Sequence, residues 1–367
     1  MIPDNSNSTD TVSRAVPGEG ALQILGRRKG RALSVDAAGT LYVSDRYRVL
    51  CSHDDGRTWA SVGTLPYAPL RRMARFSRLA SRLLRIEVRA LCALTDGGFA
   101  ASNREGVFFL PPGERTFRAS RVDAGDVPAW PPMTISPGPA GRILWGEYGA
   151  NREKRSVRIF ASDDNGRTYA CAYAFAPGET RHIHNIYYDA GLERYWVLTG
   201  DHGHEPGIGL LSTDLRTFDW VVKGDQTHRA VCLFDLGDRI VYGTDTEMAP
   251  NAVMSLEKAT GRLRRVAETD GSCIYGCRFG DVFAITTSVE PSAVNPCRDA
   301  KLLLSRDAET WHEVYAAPKD GWNENYFQFG SINLPRGRSG HDTIVLSGQA
   351  LRGIDNVALI CRWREPA

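Results

Sequence analysis

Short runs in which apolar, β-branched and aromatic residues alternate with polar ones recur along nearly the whole chain, each ended by Gly, Asp, Asn or Pro. The pattern is clearest where "HIHNIYYDA", "RYWVLTGD", "IGLLSTD" and "FDWVVKG" follow one another, predicting four successive strands. Three similar groups precede them, from "ALSVDA", "RALCALTD" and "MTISPG", and two follow, from "AVCLFDL" and "CIYGCRFG". The C-terminal part supplies only "SINLPR", "DTIVLSG" and "NVALICRW", whereas an unassigned run, "ALQILGR", precedes the first group. Joining that run to the last three closes a ring and removes the open edge of a linear array.

The expected fold is therefore all-β: a seven-bladed β-propeller, with six blades the alternative, closed by an N-terminal strand. Residues 1–18 are expected as a flexible tail and residues 19–365 as a single propeller domain. One segment breaks the period. In "PLRRMARFSRLASRLLRIEVRA" the arginines Arg71, Arg75, Arg78, Arg82, Arg85 and Arg89 recur every three or four residues, predicting a basic amphipathic helical insertion over 66–87. Its arginines are expected on one face, either solvated, or recruiting an anionic glycan, or lying on an anionic membrane surface.

The 367 residues, 42% hydrophobic, suit one large all-β unit, and a net charge of +2 gives no sign of nucleic acid as a partner. The N-terminus lacks the basic and apolar regions of a secretory signal, so the chain as given reads as cytoplasmic. Eight scattered cysteines read as reduced, small buried residues, with a disulfide between Cys273 and Cys277, or a metal site there, as the alternative.

A second repeat lies inside the first. "SHDDGRTW" begins at Ser52 and "SDDNGRTY" at Ser162, with shorter copies "STDLRTF" at Ser212 and "SRDAETW" at Ser305. Their separations of 110, 50 and 93 residues approximate two, one and two units of roughly 50, a size typical of propeller blades. Each copy falls between the third and fourth strands of its group, where an Asp carboxylate accepting backbone N–H groups and a Gly tolerating positive φ make a turn. These motifs resemble the Asp boxes, or BNR repeats, of the sialidase-like superfamily of propellers. The resemblance implies a structural role for Asp54, Asp164, Asp214 and Asp307, and an active site on the opposite face. The Arg-Ile-Pro motif of that family is absent before the first box, so its arginine triad is not carried over; Tyr326, in "NENYFQFG", is a positional candidate only.

The face opposite those turns receives the ends of the second strands, and there each group offers a polar residue: Asp45, Asn103, Glu147, Asp201, Asp245 with Glu247, Glu290 and Gln349. Five of the eight histidines, His182, His184, His202, His204 and His228, gather in or beside the fourth group. Alternation sets His182 and His184 on one side of a strand, which leaves a divalent metal at the histidine cluster open, with no cofactor certain. Arg181 and Arg229 suit carboxylates, of a sugar acid or of the protein itself. Catalysis is expected from His182, His184, Arg181, Arg229, Glu147, Asp201, Asp245 and Glu290, and substrate binding from His202, His204, His228, Glu247 and Tyr326. Paired carboxylates suit glycoside hydrolysis, and an Arg/His cluster suits elimination from a uronic acid. The expected function is thus cleavage of glycosidic bonds in a polysaccharide or oligosaccharide, by hydrolysis or by lyase-type elimination. The alternative is a non-catalytic propeller that binds a glycan or a protein.

Overall fold

The computed structural model describes residues 13–14, 16–17 and 22–364. The expected tail lies outside the described residues, save Ser13–Arg14 and Val16–Pro17, short strands that pair in parallel with Ala267–Glu268 and His312–Glu313. The chain is nearly all β and propeller-like, built of four-stranded antiparallel sheets in which consecutive strands are neighbours.

His182–Asp189, Arg194–Gly200, Gly207–Ser212 and Phe218–Lys223 form one such sheet. Sheets of the same strand order occupy 31–64, 90–119, 136–174, 234–268 and 273–318. Gly330–Asn333, Ile344–Gln349 and Val357–Trp363 are completed by Leu22–Lys29, which pairs antiparallel with the last of them from Leu22 opposite Trp363 to Lys29 opposite Val357. Alternation gives each strand an apolar face, and adjacent sheets bury these faces together. Trp145 stacks on Phe160 with ring centroids 4.4 Å apart and meets Tyr169 edge-on at 5.7 Å. Full burial of one such ring stabilises the fold by about 2–3 kcal/mol.

Residues 117–122, "FRASRV", are divided between two strands. Arg118–Ala119 ends its own sheet, and Arg121–Asp123 runs parallel to Thr168–Ala170 of the next. Ser120 makes the crossing, its N–H bonded to the Val107 carbonyl and its hydroxyl to the Gly166 carbonyl at 2.6 Å. Arg336–Ser339 similarly bridges Cys273–Phe279 and Arg31–Val35 in parallel.

The repeated motif forms the turns between third and fourth strands. The Asp54 carboxylate accepts from the Ser52 hydroxyl at 2.8 Å, the Thr58 N–H at 2.8 Å and the Thr58 hydroxyl at 2.6 Å. Asp164 repeats this with Ser162 and Thr168 at 2.8, 2.9 and 2.7 Å. The full copies place two residues at positive φ, Asp55–Gly56 and Asn165–Gly166, whereas the shorter copies use one, Leu215 or Ala308. Asp214 and Asp307 still accept from the Ser two positions earlier.

The insertion differs from the expectation twice. Instead of one helix over 66–87 there are two short ones, Pro69–Ala74 and Arg78–Leu83. The break falls at Ser77, extended in conformation, whose hydroxyl accepts from the Ala80 N–H and caps the second helix. The arginine stripe also faces inward. Arg78 forms a two-pronged pair with Asp355 at 2.7 and 2.6 Å, and Arg71 reaches Glu105 at 2.7 Å. Arg82, buried, pairs with Asp320 and lies over the Trp322 ring at 4.4 Å. Met73, Phe76, Leu79 and Leu83 are exposed instead. Ion-pair partners on neighbouring loops outcompete the apolar residues for the inner face.

Candidate active site

The first strand of each sheet starts, and the second ends, at the end of the molecule opposite the motif turns. Asp201 follows Arg194–Gly200, Asp245 follows Arg239–Gly243, and Glu290 follows Val282–Val289. His182 opens the first strand of the fourth sheet, and pairing with the neighbouring strand shifts register between Ile183 and Asn185. His184 is the extra residue of this bulge, a device that re-aims side chains at functional sites.

Both rings, His182 and His184, are buried. His182 Nε2 lies 3.0 Å from His184 Nε2, and the two stand 3.2 and 3.3 Å from the same oxygen, Asp201 Oδ1. Their other nitrogens are fixed on main-chain carbonyls: His182 Nδ1 on Gly149 at 2.8 Å and His184 Nδ1 on Ala230 at 2.8 Å. Arg229 approaches Asp201 Oδ1 at 3.2 Å and Asp245 Oδ2 at 3.6 Å, and donates to Glu247 Oε2 at 2.6 Å. Arg181 stands 3.6 Å from Asp201 Oδ2. Tyr148 packs on the His182 ring with centroids 4.4 Å apart.

These surroundings separate the protons of the acids. Burial alone would raise Asp201, but Arg229, 3.2 Å away, favours its charged form against that rise. Burial pushes Asp245 up, with Arg229 opposing and Asp201 and Glu247 adding to the rise. Glu290 is pushed up to about 8, first by burial and then by Asp245. Burial, and then the charges of Asp201, Asp245 and Glu290, push the Tyr148 hydroxyl up, so it stays protonated. Burial pushes His182 down, with Asp201 pulling back.

Among the expected site residues, His182, His184, Arg181, Arg229, Asp201, Asp245, Glu247 and Glu290 come together. His202 sits at the rim, 3.7 Å from Glu247, and is half-exposed. His204 points away, onto the Gly178 carbonyl at 3.0 Å. His228 ends the short helical turn Gln226–His228, pushed down by burial. Tyr326 is exposed on the loop before Gly330. Glu147 is placed elsewhere: fully buried, it accepts from the Trp130 N–H at 3.0 Å and pairs with Arg155 at 3.2 Å and Arg158 at 2.9 Å. Strand alternation sends its neighbour Tyr148 to the cluster instead, a residue the sequence reading passed over although it adjoins the end of a second strand.

Further along the same innermost strands, toward the motif turns, lies a cavity of about 570 Å³ lined by Asn185, Tyr187, Leu233, Cys277, Arg336 and Arg338. The expected ring of polar residues at the strand ends gave no sign of it, because its lining comes from mid-strand positions and from the bridging strand Arg336–Ser339.

No protein-family model matches the chain, and no curated protein matches it in sequence. Its fold does have solved counterparts. A catalytically inactive variant of virginiamycin B lyase from Staphylococcus aureus, solved with quinupristin, is 12% identical with a TM-score of 0.58, over 94% of this chain and 99% of that one. A chain of the mitotic checkpoint complex is 10% identical with a TM-score of 0.55, over 99% and 98%. A prolyl endopeptidase is 11% identical with a TM-score of 0.50, over 95% of this chain and 50% of that one. At such identities the likeness is one of fold: the chain is similar to β-propeller-type proteins.

Proposed function

We propose that the chain is a seven-bladed propeller of the Asp-box kind, and that it cleaves glycosidic bonds by hydrolysis at the cluster around Arg229. One observation carries the reading: carboxyl groups from the ends of three second strands meet there in different electrostatic settings, Asp201 in contact with cations and Glu290 beside like charges. Glu290, protonated at neutral pH, gives its proton to the glycosidic oxygen as the bond from the anomeric carbon breaks. Glu247, the most exposed carboxylate of the group at 36%, takes a proton from the water that adds to that carbon. Arg229 and Arg181 favour an anionic sugar. The four motif turns support the Asp-box assignment through the Ser-to-Asp hydrogen bond that all four share.

The test is a panel of acidic and neutral glycans. New reducing ends without a 4,5-unsaturated uronate are the expected result. Appearance of that chromophore replaces hydrolysis by elimination, and binding without turnover across the panel replaces cleavage by a glycan-binding role. The latter has an observation of its own, since Asp201, Asp245 and Glu247 are all held by Arg229.

A further inference from the structure

We propose that His182, His184 and Asp201 form a binding site for one first-row divalent transition-metal ion. The argument is one of donors and acceptors. A carbonyl oxygen only accepts, so the 2.8 Å contacts of both Nδ1 atoms with the Gly149 and Ala230 carbonyls require a proton on each Nδ1. A neutral imidazole carries one N–H, which leaves both Nε2 atoms as bare lone pairs. These face each other at 3.0 Å and face Asp201 Oδ1 at 3.2 and 3.3 Å. Three acceptors thus converge, two of them on rings 4% and 2% exposed, where water cannot relieve them. Arg229 donates toward the carboxylate at 3.2 Å but supplies nothing to either ring nitrogen.

The spacing fits a metal. Ligands bonded at about 2.1 Å stand about 3.0 Å apart at right angles and about 3.4 Å apart at the tetrahedral angle. The observed 3.0, 3.2 and 3.3 Å fall within that interval. Two imidazoles and one carboxylate suit zinc, manganese, iron or cobalt and leave further coordination positions open. The outer contacts are also those of a metal site, with each ring oriented by a main-chain carbonyl and the carboxylate held by Arg229 and by Arg181 at 3.6 Å. Glu247, 2.6 Å from Arg229, adds negative charge that offsets that guanidinium.

The proposal does not depend on the glycan reading, because its readout is metal binding. Full-length protein, stripped with a chelator and dialysed, is titrated with Co²⁺. Saturation at one equivalent, with visible d–d absorption, no sulfur-to-cobalt charge-transfer band, and displacement by Zn²⁺, is expected. Asp201→Asn and His184→Ala should each weaken binding at least about a hundredfold, whereas His204→Ala should leave it intact. Circular dichroism and thermal unfolding check that the variants are folded, and the wild-type titration stands without them. Failure of the wild-type protein to bind Co²⁺ or Zn²⁺, a thiolate charge-transfer band, or undiminished binding in a folded ligand variant overturns the proposal. In the first case a proton shared between the two rings satisfies the cluster instead.

Discussion

Glu290 and Asp201 both follow the end of a second strand, yet their neighbours make opposite demands on their protons. Glu290 is raised from an ordinary 4.5 to about 8, so the folded protein holds a proton that the unfolded chain releases over that interval. The stabilisation is complete below 4.5 and is lost as pH rises through about 8. Urea titrations of the wild-type protein and Glu290→Gln across that range should therefore converge at low pH, with the variant losing less stability on the alkaline side. If Glu290 is the acid, Glu290→Gln should lower kcat at least about a hundredfold, and wild-type activity should fall above about pH 8. The position of these acids was legible in the sequence because the end of a strand is a local feature. The exchange between Glu147 and Tyr148 was not, since it turns on which face of one short strand meets Arg155 and Arg158.

The motif turns and the insertion behave differently as elements. In the turns, one carboxylate satisfies donors within four residues, so a few neighbouring letters suffice to specify the loop, and sequence alone placed all four. Asp164→Ala removes the acceptor for Ser162 and for both donors of Thr168. It should cost about 1–2 kcal/mol in thermal or urea unfolding and leave the site's activity unchanged. The insertion follows distant partners instead. Asp320 and Asp355 lie more than 200 residues beyond the arginines they hold, and no helical periodicity announces them. Arg82→Ala strips the charge partner from Asp320 and the cation from the Trp322 face. A loss of about 3 kcal/mol is expected, well above that of Arg72→Ala on the exposed side.

At the scale of the whole molecule, Leu22–Lys29 and Val357–Trp363 hold the two ends of the chain in one sheet. Deleting residues 1–29 bares the main-chain groups of Val357–Trp363, and the truncated protein should associate or precipitate, as size-exclusion chromatography would show. The strand grouping along the sequence made this closure legible, because one group lacked its fourth member. The cavity lined by Asn185, Tyr187 and Arg336 was not legible, since its walls come from four sheets and a bridging strand. The closure also has a kinetic side. Leu22 finds Trp363 only after almost the entire chain exists, so a nascent protein carries its first long strand unpaired until the very last one emerges. That pairing has the longest loop to close and is expected as a slow final phase of refolding, which a stop codon before Val357 would abolish while the earlier sheets still form.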